Sequence, residues 1–513
     1  MTNIFIAIRY LLSMLKNLKL ILHSLREYKI YAILTPLFMM IEAACDCALP
    51  FVMSAFVTII EDSYKAGTQI DLNQIGMYTG IFLAIAIISL LCGIFGAKTA
   101  AKASVGLTKN LRADVFKRIE SFSFANIDRF STSSLVTRLT TDITNTFMAF
   151  NMGIRIIVRA PLMFIFATVL SFVIGGAMAW IFIGVIPLVC LGFFFMLRKA
   201  TKIFTRVFKR YDKLNESVQE NVSGIRVVKS YVRENYEKSK FNKASNSMKF
   251  DFVKAEKIVA LNNPLINTTV HLSNILVIGI GSMFIFKGRL QIGQMSALLT
   301  YGIQILMNIM MISMILVMLV MSIECVRRIA EVLEEQPTIV NPENPLYEVK
   351  SGDIEFKNVN FKYKESAQKY ALKNINLKIK SGEFIGILGS TGSGKTSLVN
   401  LISRLYDTTK GEVLVDGHNV KEFDLKTLRD NVAVVLQKNV LFSGTIESNL
   451  KWGNINATQE QMVRAAQIAQ CLDNIEAKPG GFKSEVEQGG ANFSGGQKQR
   501  LCIARAILKE PKI

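Results

Sequence analysis

A short glycine-rich stretch carries the clearest chemistry in this sequence of 513 residues. Its eight residues are Gly389, Ser390, Thr391, Gly392, Ser393, Gly394, Lys395 and Thr396. Three glycines let the backbone curl so that successive N–H groups point at phosphate oxygens. The lysine would neutralise charge on the β and γ phosphates, and the threonine hydroxyl would hold Mg²⁺. The stretch is therefore predicted to cradle the phosphates of a nucleotide.

The residues on either side of this loop give it the setting that phosphate binding requires. The apolar run Phe384–Leu388 is predicted to be a strand, and a helix follows Thr396, whose positive dipole end would face the phosphates. A glycine-rich turn that binds nothing is the alternative. The full spacing and the predicted strand–loop–helix order favour the phosphate site.

Two later stretches could also contact a nucleotide. Residues 432–437 read "VAVVLQ" and are predicted to form a strand that ends in Gln437. Ser494, Gly495 and Gly496 precede a helix that is predicted to begin near Gln497. Free N–H groups and a hydroxyl at such a helix start form a second anion site. A plain helix cap is the alternative interpretation.

The composition indicates a membrane part joined to a soluble part. Half of the residues are hydrophobic, and the formal net charge is +20. The basic residues cluster in connections beside apolar segments, which the positive-inside rule explains without nucleic acid. The seven cysteines include no Cys-x-x-Cys pair and are predicted to be reduced, structural thiols.

Six apolar segments are long enough to cross a bilayer. They lie within residues 30–60, 72–97, 160–197 (two spans with a turn near Gly175 and Gly176), 258–286 and 290–323. Residues 98–154 and 198–257 carry eight and sixteen Lys or Arg, whereas the alternate connections carry three. The sequence therefore predicts a multi-pass protein of the plasma membrane with both termini in the cytoplasm.

The predicted fold class is a multi-domain membrane protein. An interfacial helix within residues 1–28 precedes a six-helix α-helical transmembrane domain, 29–333. Residues 334–349 contain three prolines and form a linker, and residues 350–513 form an α/β P-loop domain. In the latter, "IEFKNVNFKY" and "ALKNINLKIK" are predicted strands.

Charged residues inside or near the apolar segments have two interpretations. Glu42 and Asp46 share a helix face inside the first segment, and could bind a cationic substrate or pair with a partner. Pairing or a structural role is the favoured interpretation. Arg155 and Arg159 are predicted to be interfacial, because long side chains can reach the membrane surface.

Taken together, these motifs resemble those of an ATP-binding-cassette (ABC) exporter half-transporter. Residues 389–396 match its Walker A motif, "LQKNVLFSGTI" its Q-loop and "FSGGQKQR" its signature. The resemblance covers essentially the whole chain. It implies an ABC-type transporter ATPase with the cofactors ATP and Mg²⁺.

The resemblance also implies roles for single residues. Tyr363 would stack on adenine, and Gln437 would sense Mg²⁺, with Thr396, and the attacking water. Ser494, Gly495, Gly496 and Gln497 would contact a nucleotide held by a second half-transporter, in a homodimer or heterodimer. Residues 126–142 and 221–231 fall where the family has its coupling helices. Membrane lipid and a transported compound are the remaining partners, and no nucleic acid is expected.

The resemblance leaves two functions open. The first is a subunit of an exporter that moves a hydrophobic or amphiphilic compound, lipid or peptide. The alternative is a non-catalytic or regulatory half of a heterodimer that lends its signature to an intact partner; Glu487-Gln488, which stands where many exporters have Gly-Glu, favours it weakly. The Walker B aspartate, catalytic glutamate and switch histidine do not occur before Ile513. The sequence is therefore expected to be C-terminally truncated or incomplete, and its own Walker A nucleotide to be poorly hydrolysed.

Overall fold

A computed structural model describes Met14, residues 16–67 and residues 72–513 of the chain. The described chain divides into two compact units. The first comprises the residues up to Val115 together with Arg138–Glu331, and the second comprises Phe116–Thr137 together with Val332–Ile513. Half of the segment 1–28, for which an interfacial helix is predicted, lies outside the described residues.

Long helices make up the first unit, and α2 continues past its boundary at Val115. In chain order the α-helices described between Lys29 and Glu334 are α1 (Lys29–Lys65), α2 (Leu72–Glu120), α3 (Phe124–Phe130), α4 (Thr132–Thr137), α5 (Ile143–Gly175), α6 (Trp180–Ser223), α7 (Ile225–Ser230), α8 (Glu234–Ala260), α9 (Asn262–Phe286) and α10 (Ile292–Glu334). The short helices α3, α4 and α7 fall in the two predicted coupling segments.

Five helical stretches among the described residues are long and apolar enough to cross a membrane. They are Arg26–Lys65, Leu72–Glu120, Thr132–Met196, Glu234–Phe286 and Ile292–Leu316. The third stretch contains α5 and the first part of α6, and the helix breaks between them at Gly176, whose φ is +49°. A positive φ suits glycine, which has no Cβ to collide with the backbone. The break predicted near Gly175 and Gly176 is confirmed.

Small residues let the helices of the first unit approach closely. A Cβ on Gly293 of α10 would lie 2.4 Å from the carbonyl oxygen of Ser54 in α1. About two turns further along the same pair of helices, the Tyr301 hydroxyl donates to the Cys47 carbonyl oxygen at 2.8 Å. Close backbone approach and interhelical hydrogen bonds are the interactions that hold helices together where lipid removes the hydrophobic driving force.

Two carboxylates and one guanidinium meet inside the first unit. Arg159 of α5 lies 2.8 Å from Asp46 and 3.4 Å from Glu42, measured between side-chain nitrogen and oxygen atoms. Ser89 of α2 also donates to Asp46 at 2.7 Å. The prediction that Arg159 is interfacial is therefore wrong, because its guanidinium pairs with carboxylates that would otherwise be uncompensated. The favoured interpretation of Glu42 and Asp46, pairing, agrees with this contact.

The second unit contains a four-stranded sheet. Its strands are β1 (Ile354–Phe361), β2 (Leu372–Ile379), β3 (Lys410–Val415) and β4 (His418–Asn419), in the spatial order β2-β1-β3-β4. All three pairings are antiparallel; Ile354 of β1, for example, faces Ile379 on one side and Val415 on the other. The two predicted strands in this region are confirmed. Phe356, Val359 and Phe361 are buried beneath the sheet.

Helices form the rest of the second unit, with one small strand pair. They are α11 (Lys395–Ile402), α12 (Leu425–Asn431), α13 (Ile446–Leu450), α14 (Gln459–Ile468), α15 (Leu472–Glu476) and α16 (Gly495–Ile507), with β5 (Gly444–Thr445) paired to β6 (Glu485–Val486). A separate apolar core lies among α13, α14 and α16, with Ile446, Ala466 and Ala504 fully buried. Phe493, which directly precedes Ser494, belongs to this core, so the core supports the start of α16.

Two predicted strands are not formed. Phe384–Leu388 is extended without strand pairing, and Phe384 and Leu388 are almost wholly exposed. Residues 432–437 are likewise irregular, and only their start is paired, where Ala433 N donates to Ile513 O at 2.9 Å. The prediction was wrong because an apolar strand of this kind is stable when neighbouring strands pair with it on both sides. Residues 384–388 have no such strand beside them in the described chain. Among the described residues, no backbone hydrogen bond joins 384–388 to another segment.

The predicted linker is hydrogen-bonded to the second unit. Leu346 N donates to Glu422 O at 2.8 Å, and Asp424 N donates to Leu346 O at 3.0 Å. Asn341 adds a side-chain bond to Asp424 at 2.7 Å. Although three prolines prevent regular structure, these bonds satisfy part of its backbone and hold the segment against the unit.

Helix α3 also belongs to the second unit. Asn126 is buried, and its amide nitrogen donates to Glu335 Oε1 at 2.9 Å and to Gln336 O at 3.0 Å. Its amide oxygen accepts from the backbone N of Ser123 and Thr338, each at 3.2 Å. A buried amide that uses both ends in this way fixes α3 against the residues that follow α10.

Candidate nucleotide-binding site

The last two residues of the glycine-rich loop, Lys395 and Thr396, form the start of α11, next to the position where the sequence predicted a helix. Gly394 caps this helix with φ +94°, and Gly392 has φ +83°. A Cβ on Gly394 would lie 2.8 Å from the carbonyl oxygen of Ala371, so both the backbone conformation and the space require glycine. The first turn of α11 has N–H groups without partners inside the helix. Because Gly394 has no side chain, access to these N–H groups is not blocked at that position.

Lys395 is folded back over the loop. Its ammonium donates to the carbonyl oxygens of Gly389 and Ser390, each at 2.8 Å, and approaches Ser393 Oγ at 3.4 Å. Carbonyl oxygens satisfy the donors of the ammonium but leave its charge uncompensated. An anionic oxygen in the loop would therefore be a stronger partner than the neutral groups that it contacts here.

A cavity of about 710 Å³ opens beside the loop. Its lining residues include most of the predicted site: Tyr363, Thr391, Gly392, Ser393, Gly394, Lys395, Thr396 and Gln437. Gly389 and Ser390 are not among the lining residues, and contribute carbonyl oxygens to Lys395 instead. The structure thus brings together, around one cavity, residues that are 74 positions apart.

The donors and acceptors of this cavity fit a nucleotide with Mg²⁺. Backbone N–H groups, the Lys395 ammonium and the helix start suit phosphate oxygens. The Thr396 hydroxyl and the Gln437 amide oxygen are hard oxygen ligands of the type that Mg²⁺ prefers. Asn400 adds an amide oxygen with no hydrogen-bond partner among the described residues. Mg²⁺ would neutralise phosphate charge there.

Tyr363 presents an aromatic ring to the cavity and contacts two neighbouring residues. It is 46% exposed, which leaves ring surface for a stacked base. Its hydroxyl lies 2.8 Å from Ser397 Oγ in α11, and its ring packs edge-on against Phe361 with centroids 4.8 Å apart. The predicted stacking role of Tyr363 is compatible with this geometry and remains a prediction.

The predicted signature residues form a capped helix start. Ser494 Oγ accepts from Gln497 N at 3.3 Å, and Gln497 Oε1 accepts from Ser494 N at 2.9 Å. This reciprocal pair is a capping box, so the hydroxyl already serves the helix. Gly495 and Gly496 have no atom within 4 Å of a built Cβ, so this surface is open. Within the described chain, none of the four residues lines the cavity above.

Tyr406 is a residue that sequence reasoning missed. Its ring lies 5.2 Å from that of Tyr363, and its hydroxyl donates to Asp128 Oδ2 at 2.6 Å. Burial, followed by the hydrogen bond to Asp128, raises the pKa of Tyr406 far above its ordinary value. An aromatic residue four positions after the end of α11 was the available signal. Nothing in the sequence pairs it with residue 128.

Fold and site together define a class of protein: a helical membrane domain fused to a P-loop domain that can bind a nucleotide. Family models agree. Residues 32–322 match the ABC transporter transmembrane region, and residues 372–513 match the ABC transporter domain.

Relatives extend along nearly the whole chain. An uncharacterised ABC transporter ATP-binding protein of Bacillus subtilis, YfiB, is 32% identical over 492 residues, which cover 96% of this chain and 84% of the relative. A similar uncharacterised protein of Mycobacterium tuberculosis is 31% identical over 500 residues, 96% of this chain and 85% of that protein. A relative from Staphylococcus aureus, named as a candidate multidrug export ATP-binding/permease protein, is 37% identical over 323 residues, 63% of this chain and 55% of that protein.

The chain belongs to the ABC transporter family. It is an exporter-type half-transporter, in which a multi-pass membrane domain precedes a single ATPase domain.

Proposed function

We propose that this half-transporter is one subunit of a dimeric, ATP-driven exporter. Two copies, or this chain and a second half-transporter, would clamp ATP between the loop 389–396 of one subunit and Ser494–Gln497 of the other. The observation that carries this proposal is the cavity beside the loop, where Lys395, Thr396 and Gln437 converge with Tyr363. The open start of α16, which lies outside that cavity, supports a role toward a partner's nucleotide.

Within the site, each residue would have a separate task. The backbone N–H groups of the loop and the Lys395 ammonium would bind the β and γ phosphates, and Thr396 with Gln437 would hold Mg²⁺. Tyr363 would orient the base by stacking. On binding phosphate, the Lys395 ammonium would give up its hydrogen bonds to the carbonyl oxygens of Gly389 and Ser390.

Closure of the dimer can be tested by cross-linking. Ser390→Cys and Ser494→Cys are introduced in separate copies of the chain, which are co-expressed and oxidised in lipid nanodiscs. The proposal predicts a cross-linked dimer that ATP with Mg²⁺ increases, and that Lys395→Ala in both copies abolishes. The chain with its native cysteines alone is the control. A cross-link that is independent of ATP, or absent with it, contradicts the clamped dimer.

The transported compound is proposed to be hydrophobic or amphiphilic, a lipid or a peptide. The family membership and the relative named for multidrug export support this class. In inside-out vesicles of the plasma membrane, ATP should drive uptake of at least one of three probes: ethidium, a fluorescent phosphatidylcholine and a hydrophobic peptide. Vesicles that contain Lys395→Ala are the matched control. Equal uptake in both would contradict export.

A second candidate function is favoured by Glu487-Gln488, which precede the signature. In this interpretation the chain is the non-catalytic or regulatory half of a heterodimer. Its Ser494 would still serve the partner's nucleotide, whereas its own Lys395 would matter little. Ser494→Arg would then abolish the ATPase activity of the heterodimer, and Lys395→Ala would leave it largely intact. Equal loss from both changes would favour the first function.

A further inference from the structure

Tyr406 lies in contact with helix α3 through two different interactions. Its hydroxyl donates to the carboxylate of Asp128 at 2.6 Å, and its ring stacks on that of Phe124 with centroids 6.0 Å apart. The hydrogen bond has a charged acceptor, which makes it stronger than a bond between neutral groups. Both contacts lie inside the second compact unit.

On its other side, Tyr406 contacts the aromatic residue of the candidate nucleotide cavity. The rings of Tyr406 and Tyr363 are 5.2 Å apart and nearly perpendicular, at 87°. Phe361 packs against both rings, at 5.6 Å from Tyr406 and 4.8 Å from Tyr363. Edge-to-face packing depends on the relative orientation of the rings. A rotation of Tyr363 therefore changes the packing of Tyr406.

Helix α3, which Tyr406 contacts through Asp128 and Phe124, is itself firmly held. Helix α3 is fixed to the residues after α10 by the buried amide of Asn126 and by the ion pair between Arg129 and Glu335 at 2.8 Å. A displacement of Asp128 therefore moves α3 with Glu335 and Gln336 rather than one side chain alone. A tyrosine phenol is neutral at physiological pH at its ordinary pKa of about 10. Burial and the bond to Asp128 raise the pKa of Tyr406 further, so its phenol remains a hydrogen-bond donor.

We propose that Tyr406 is a positioning residue, which transmits the stacking of a nucleotide base on Tyr363 to helix α3 through its hydrogen bond to Asp128. This inference rests on the nucleotide site proposed above. A base stacked on the face of Tyr363 restricts that ring, the restricted ring orders Tyr406, and the phenol then holds Asp128. Because coupling between two sites is reciprocal, the state of Asp128 must also change the affinity for the nucleotide.

The reciprocity gives a sharp test. The dissociation constant of a fluorescent ATP analogue is measured with Mg²⁺ for the full chain, Tyr406→Phe, Asp128→Asn and the double variant, all in nanodiscs. Each single change is expected to weaken binding about fivefold, and the double variant no more than the weaker-binding single variant. Tyr347→Phe, at an exposed tyrosine elsewhere in the second unit, is the matched control and should bind as the unchanged chain does.

A second readout separates transmission from mere stability. Melting temperatures of the same variants are measured without nucleotide. A lower melting temperature with an unchanged dissociation constant would make the bond purely structural and overturn the proposal. Additive losses in the double variant would do the same. If instead the unchanged chain fails to bind the analogue, or Lys395→Ala binds it equally well, the proposed nucleotide site itself fails, and this inference with it.

Discussion

Asp142 and Arg328 form an ion pair between α10 and the π-helical turn Arg138–Asp142 that precedes α5. Arg328 Nε donates to Asp142 Oδ2 at 2.8 Å, and the Asp142 side chain is fully buried. Arg138 adds a bond from its guanidinium to the Arg328 carbonyl oxygen at 2.8 Å. These contacts join the turn that precedes α5 to the end of α10, which leads into the ATPase domain.

Removal of the Asp142 carboxylate should destabilise the first unit. Asp142→Ala leaves the Arg328 guanidinium without its partner, and we expect the free energy of unfolding to fall by about 2–3 kcal/mol, since Arg328 is partly exposed and keeps some solvation. Chemical unfolding of the detergent-solubilised protein measures the change. Glu324→Gln, which removes an exposed partner of Arg327, is the control and should cost under ~1 kcal/mol. Equal costs for both variants would contradict a special role for the buried pair.

The charge cluster of Glu42, Asp46 and Arg159 predicts that folded protein is lost when one charge is removed and recovered when all three are removed. Arg159→Met leaves Glu42 and Asp46 uncompensated inside the membrane domain, so we expect little folded protein in the membrane. The triple variant Glu42→Gln, Asp46→Asn, Arg159→Met removes the excess charge and should recover most of it. Fluorescence size-exclusion chromatography of a tagged chain measures the folded amount. Recovery that is no better in the triple variant than in Arg159→Met would show that the charges are not what matters.

Glycine at position 394 is required by two independent constraints. Gly394→Ala places a Cβ 2.8 Å from the Ala371 carbonyl oxygen at φ +94°. Backbone strain of this kind costs about 1–3 kcal/mol. Affinity for ATP should therefore fall about tenfold or more, as measured by binding of a fluorescent analogue. Gly386→Ala, which has open space around its Cβ and no positive φ, should bind ATP nearly as well as the unchanged chain. Similar losses at both positions would refute the steric explanation.

Mg²⁺ should matter to nucleotide affinity through the Thr396 hydroxyl. Chelation of Mg²⁺ is expected to weaken ATP binding by the unchanged chain about tenfold, because phosphate charge is then uncompensated. Thr396→Val should bind weakly with or without Mg²⁺, while Thr396→Ser, which keeps the hydroxyl, should retain the dependence. Titration calorimetry at several Mg²⁺ concentrations distinguishes these cases. A full Mg²⁺ dependence in Thr396→Val would place the ion elsewhere.

The sequence predicted those features that depend on local chemistry. Glycine at 392 and 394 is demanded by positive φ, and the helix after Thr396 follows from the loop that precedes it. The break between α5 and α6 could likewise be read from the two adjacent glycines at 175 and 176. Each of these depends on a few neighbouring residues, whose side chains or lack of them leave few backbone conformations.

Features that depend on distant partners could not be read in this way. The apolar run 384–388 has the composition of a strand, but strand formation needs hydrogen-bonding neighbours that composition does not supply. Arg159 could be placed beside Asp46 only once α1 and α5 were packed together, 113 positions apart in the chain. Tyr406 and Asp128 are 278 positions apart, and neither lies in a motif that points to the other.

The most direct test of the account is equilibrium binding of ATP to the purified chain in lipid nanodiscs, compared with Lys395→Ala. We predict saturable binding by the unchanged chain in the presence of Mg²⁺, and a loss of affinity of about a hundredfold in the variant, since one ammonium neutralises the terminal phosphates. Absence of binding by the unchanged chain, or the same affinity in both proteins, would contradict it.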